Sequence, residues 1–99
     1  MRGWPLEAVE TEMRRLKVLR YLADATGYEA AASVLRLHCA RIGVPTTPDQ
    51  VTAAMAWLAE MELVTLRHYE AEPIAKLTTF GRDVAEGIRT LPGVLRPDP

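Results

Sequence analysis

Along most of this chain apolar residues recur at steps of three and four, the spacing that gathers them on one face of a helix. Leu6, Val9, Met13, Leu16, Leu19, Leu22 and Ala23 form the first such stripe and predict a helix from about Pro5 to Ala25. Pro5 suits a first helical turn, and Glu7, Glu10 and Glu12 lie toward the end where the helix dipole favours anions; Gly27 stops the helix. A second stripe of Ala31, Val34, Leu35, His38, Cys39 and Ile42 predicts a helix from Glu29 to Ile42, ended by Gly43. Leu37 falls off that stripe, so it is either exposed or meets a partner. Thr47-Pro48-Asp49-Gln50 is the clearest start signal in the chain. Thr47 caps, Pro48 takes the first helical position, and Gln50 stands at the capping-box spacing. Val51, Ala54, Met55, Leu58 and Met61 then line the inner face to about Glu62, with Trp57 at the edge of the stripe.

From Leu63 the period changes. Val64 and Leu66 alternate with Thr65 and Arg67, and β-branched and aromatic residues replace alanine, which predicts a half-buried strand to Tyr69. Glu70 to Pro73 forms the turn, and Ile74 to Leu77 returns with Ala75 and Leu77 inward. Thr78 or Thr79 caps a last helix to about Ile88 with Val84, Ala85 and Ile88 facing in, although Gly81 and Gly87 weaken it. The order of elements predicts a mainly α protein with a small β-hairpin: a winged helix-turn-helix with a three-helix core, a two-stranded wing and a C-terminal helix. The competing architecture is a plain helical bundle in which residues 63–77 are only a loop. Residues 1–89 make the domain, and residues 90–99 a proline-rich tail.

Composition narrows the chemistry. Twelve Lys and Arg against thirteen Asp and Glu leave a net charge of −1, so no global basic field draws in nucleic acid or acidic membranes. Binding to DNA has to come from local patches. Cys39 is the single cysteine, which rules out an intrachain disulfide and suits a reducing cytoplasm. No apolar run approaches a membrane span and the first residues carry no signal-peptide core, so a cytoplasmic protein with no membrane role is expected.

Several segments carry a likeness to a known family. Thr47-Pro48-Asp49-Gln50-Val51, Ala56-Trp57-Leu58-Ala59-Glu60 and Leu63-Val64-Thr65 form one group; Leu77-Thr78 with Gly81-Arg82-Asp83-Val84-Ala85 and Pro92-Gly93-Val94 with Arg96-Pro97 follow. With Val18-Leu19-Arg20 and Leu22-Ala23, this order and spacing resembles small winged-helix, ArsR-like proteins of Mu-like phages and prophages, over nearly the whole chain from about residue 12. The genes of that family tend to lie near lysis and DNA-packaging genes. The resemblance implies the winged-helix fold more than it implies an activity.

In a winged helix the third helix enters the major groove, and Thr46, Thr47, Gln50 and Thr52 are the residues placed to meet DNA there. Arg36, Arg41, Arg67 and Lys76 are the candidates for phosphate contacts from the second helix and the wing. Yet Pro48 to Glu62 contains Asp49, Glu60 and Glu62 and no Lys or Arg, whereas DNA-binding proteins commonly neutralise roughly 6–10 phosphates. Arg14, Arg15, Lys17 and Arg20 form the one dense basic group, either a phosphate or acidic-partner contact or a solvated face balanced by glutamates. Trp4, Leu6, Leu37, Trp57, Leu91 and Val94 exceed what a small core absorbs, and are candidates for a homodimer or partner contact; the alternative is a tail that packs back on its own domain. His38 and Cys39 point about 100° apart on a helix, so no metal site is expected, and Cys39 is a small buried hydrophobe. No cofactor motif and no nucleophile–base arrangement is legible, so no enzyme is expected. Two functions stand side by side: a DNA-associated regulatory or packaging accessory protein of a phage, and a module on the same scaffold that holds another phage protein.

Overall fold

A computed structural model describes residues 6–97. Helix α1 spans Leu6–Asp24 and a 3-10 turn Thr26–Tyr28 leads into strand β1, Glu29–Ala31. Helices α2, Ala32–Arg41, and α3, Pro48–Glu60, follow, then strands β2, Val64–Tyr69, and β3, Glu72–Leu77, and helix α4, Thr79–Ala85. The fold is mainly helical, with a small antiparallel sheet in the order β1-β3-β2.

The start of α3 forms as its sequence dictates. Thr47 Oγ1 accepts from the Gln50 N–H at 3.1 Å while Gln50 Oε1 accepts from the Thr47 N–H at 2.9 Å, which satisfies two donors that the first turn leaves orphaned. Thr78 does the same for α4 by accepting from the Gly81 N–H at 3.0 Å. Gly81 also has a packing role: a Cβ there would overlap the Leu63 carbonyl and press on Leu77. Leu16, Leu19 and Leu22 of α1, Leu35 and Cys39 of α2, Val51, Met55 and Leu58 of α3, and Leu63, Val64, Ala75 and Val84 make one contiguous core.

Several expectations are corrected. Residues 29–31 do not begin α2; they are a third strand, with Ala30 opposite Ala75 and Glu29 opposite Lys76. Gly27 and Tyr28, both at positive φ, turn the chain out of helix, and the open edge of β3 offers backbone partners that outweigh the helix propensity of alanine. Buried Ala32, Leu35 and Cys39 fix the rotation of α2, and this leaves Val34 and Ile42 exposed rather than inside. Strand β3 begins at Glu72, two residues earlier than expected, because Glu70 and Ala71 alone make the turn, both at positive φ. Leu66, expected inward, is exposed because the hairpin runs past the helices and only Val64 of β2 is buried. Leu6, Met61 and Ile88, all expected inside, are exposed; Met61 and Ile88 fall just beyond helices that stop at Glu60 and Ala85. The tail is irregular as expected, and it closes on the core: Val94 is buried, with Leu91 and Leu95 packed beside it.

Candidate interaction surface

The exposed side of α3 presents Asp49, Gln50, Thr52, Ala53, Ala56 and Glu60. No cation stands among them. Gln50 and Ala53 border a groove of about 510 Å³ whose other wall is the first half of α1, with Glu7, Glu10 and Glu12. Arg14 and Arg15 also line it, and both are committed within the molecule. Arg14 is buried; its Nε donates to Thr46 Oγ1 and its Nη2 to the Pro45 carbonyl, each at 2.9 Å. Arg15 Nη1 donates to the Gly93 carbonyl at 2.9 Å, and its guanidinium lies 4.0 Å from the Trp57 ring centroid. Burial lowers the Arg15 pKa, opposed by nearby Glu12, and its buried Nε has no hydrogen-bond partner. The cation–π contact and the bond to Gly93 offset that cost.

Of the residues expected to face DNA, Thr46 is buried, and its hydroxyl donates to the Val44 carbonyl while accepting from Arg14. It fixes the loop before α3 and is not available to a phosphate. Thr47 and Gln50 are exposed but occupied with each other in the capping box; Thr52 is exposed. Arg41 and Lys76 are exposed and Arg36 half-buried, and no ion pair involves them among the described residues. Arg67 lies 3.2 Å from Glu29 Oε1, so the wing brings one of its cations already neutralised. Of these four basic residues, Arg67 is the one with an ion-pair partner among the described residues.

The apolar candidates also divide. Trp4 lies outside the described residues. Leu6 and Leu37 are exposed, at 73% and 47%. Trp57, Leu91 and Val94 are used internally: Val94 enters the core, Leu91 packs against it, and Gly93 sits so close to the Trp57 ring that no Cβ would fit. Of the alternatives open for these residues, the tail packs back on its own domain. Leu95 N donates to the Glu12 carbonyl at 3.3 Å, which lays the tail across α1.

Sequence reasoning missed three functional placements. Arg14 and Arg15, taken with Lys17 and Arg20 as one surface run, are tertiary bolts; the helical period held the signal, since Arg14 shares a face with buried Val18 and Leu22. Glu72 Oε1 accepts from the Ser33 N–H at 2.6 Å, so the wing caps α2 from outside the helix. Hydrogen bonding by the Ser33 side chain, and then by this N–H, holds the Glu72 carboxyl below its ordinary pKa. His38 is half-buried with its ring 4.6 Å from that of Tyr21, and burial, helped by Lys17, lowers its pKa. Burial pushes the Cys39 thiol up, against smaller opposing effects of Thr46 and Arg14. Among the described residues no group of His, Cys, Asp and Glu has metal-site geometry, and no helix is long and apolar enough to cross a membrane.

Fold and surface together define a small helical protein backed by a short antiparallel sheet, with a groove between its first and third helices lined by Glu7, Glu10 and Glu12 and by Arg14 and Arg15. No protein-family model matches the chain. Its sequence is 40% identical over 89 residues, 90% of this chain and 92% of the relative, to the uncharacterized protein gp26 of Escherichia phage Mu. The chain belongs to this family of Mu-like phage proteins.

Proposed function

We propose that the chain is a non-enzymatic winged-helix protein of a Mu-like phage that works by holding another phage protein, not by reading DNA through its third helix. The order helix, short strand, two helices, hairpin and closing helix supports the winged-helix reading. The observation that carries the functional reading is the exposed face of α3, which bears Asp49 and Glu60 and no Lys or Arg and borders the glutamate-lined groove. Such a helix face offers phosphates no cation to pair with, and a protein segment with basic and small polar groups complements its carboxylates.

The test is a titration of a labelled 30-base-pair duplex at about 50 mM salt, where counterion release makes any DNA binding strongest. No complex is expected at about 50 μM protein; a complex that dissolves as salt rises would overturn the reading. In phage-infected cells, Ala53→Arg and Ala56→Arg variants should lose a partner that the wild-type chain retains, with thermal stability unchanged. Retention of every partner by both variants would remove the basis for the groove.

A second reading, a DNA-associated regulator or packaging accessory, draws support from Arg41 and Lys76, exposed and outside any ion pair among the described residues. It takes the same experiment with the opposite result.

A further inference from the structure

The sheet has one long open edge. In the order β1-β3-β2, strand β3 is central, β1 has three residues, and β2 has six. The turn Glu70–Ala71, both residues at positive φ, makes Tyr69 and Glu72 a pair that exchanges both backbone bonds. Alternation along the ladder then bonds Arg67 with Ile74 and Thr65 with Lys76. The N–H and C=O groups of Val64, Leu66 and His68 therefore point away from β3, and no turn or loop backbone among the described residues bonds to them. Pro73 agrees with this phase: it stands opposite His68, where β2 asks no N–H of it. The features that commonly close an edge are missing from β2, which contains no proline, lysine or bulge, and its arginine is tied to Glu29. Leu66 and Tyr69 of this strand are exposed, as is Met61 in the turn that leads into it.

From this we infer that the outer edge of β2 joins two copies of the chain, antiparallel, about a two-fold axis at Leu66, so that their sheets run on as one. Backbone bonds form only where outward residues face outward residues, and this restricts the register. An axis at Leu66 pairs every outward residue within the strand: Leu66 with Leu66, Val64 with His68, and His68 with Val64. An axis at Arg67 sets Arg67 against Arg67 and pushes Val64 against the turn residue Glu70. An axis at Thr65 sets His68 against Glu62, which lies outside the strand at positive φ. With the axis at Leu66, Thr65 stands beside Arg67 and no like charges meet. The same operation carries Tyr69 of each copy to the Met61–Leu63 turn of the other, so exposed Met61, Leu66 and Tyr69 meet their counterparts. Any extended strand satisfies the backbone groups; a second copy also closes a second open edge and covers the same apolar residues on both sides, which makes it the occupant. The contact is small beside the roughly 800 Å² per partner of a standard interface, so affinity in the micromolar range is expected. This edge is separate from the α3 face, which Ala53→Arg and Ala56→Arg test.

Sedimentation of the full chain at low salt should show dimer at about 100 μM and monomer below about 1 μM. Leu66→Lys and Leu66→Glu each place like charges on the axis and should shift dissociation at least tenfold toward monomer. Mixing the two variants in equal amounts sets opposite charges across the axis, so dimer should return in the mixture. His68→Pro removes a donor that β3 does not use, and should weaken the dimer with the melting temperature unchanged. Leu66 and His68 are exposed, and unchanged circular dichroism checks that the variants remain folded. Ala53→Arg should leave the dimer intact. A wild-type chain that stays monomeric at 100 μM overturns the inference. So does a dimer that both Leu66 variants leave intact, or a mixture of them that remains monomeric.

Discussion

Arg14 shows how one residue changes meaning between sequence and structure. In a run with Arg15, Lys17 and Arg20 it resembles a surface cation, yet its guanidinium is buried and holds the loop before α3 through Thr46 and Pro45. The bonds come from two different nitrogens of a planar fork, which lysine does not possess. Arg14→Lys should therefore destabilise the fold by about 2 kcal/mol, the scale of a lost charge-assisted bond with a buried acceptor left unpaired. Urea unfolding followed by circular dichroism measures it. A loss equal to that of the exposed control Arg20→Lys would mean that the fork contributes nothing. Thr46 explains why a residue next to a helix start is an unreliable candidate for ligand contact: its hydroxyl was already needed inside.

Among the elements, α2 is the one whose stability depends on a partner outside itself. Its N-cap, Ala31, provides no side-chain oxygen, and the Glu72 carboxylate of β3 accepts from its first turn instead. Because Glu72 titrates below its ordinary value in the fold, its contribution is complete above the unfolded carboxyl pKa of about 4.5 and is lost as pH falls through the lowered folded value. Glu72→Gln should therefore flatten the fall in melting temperature between about pH 5 and pH 3 relative to the wild type. Parallel curves for the two proteins would show that the bond is not maintained in solution. The helices, the capping box and the hairpin were legible in sequence because each rests on contacts within a few residues: Thr47 with Gln50, Thr78 with Gly81, Tyr69 across a short turn from Glu72. Strand β1 was not legible, since nothing in Glu29-Ala30-Ala31 distinguishes a strand from a first helical turn until β3 lies beside it.

For the molecule as a whole, the tail decides which surfaces remain open. Val94 completes the core, Gly93 lies against Trp57, and Arg15 ties the two together. Removing residues 91–99 should expose Trp57 and lower stability by roughly 3 kcal/mol, from the lost burial of Val94 and part of Leu91 and Leu95. A red shift in tryptophan emission and a lower urea midpoint report it, and an unchanged midpoint would show that the tail packs without stabilising. The candidate surface was legible only in its composition. The absence of cations between Pro48 and Glu62 was plain in the sequence, whereas the glutamate wall that α1 places opposite Gln50 and Ala53 was not.

What the sequence determined by itself is local: the helical periods, the caps, the hairpin and the charge of α3, all set by residues close enough in the chain to act on one another before the fold exists. Tertiary structure alone decided that Arg14 and Thr46 turn inward, that Glu29-Ala30-Ala31 joins the sheet, and that Trp57 belongs to the tail. Each of these joins groups far apart in the chain, as Arg15 and Gly93 are, at 78 residues' separation. Their energy exists only once the intervening chain has packed, so no short stretch of sequence carries its mark.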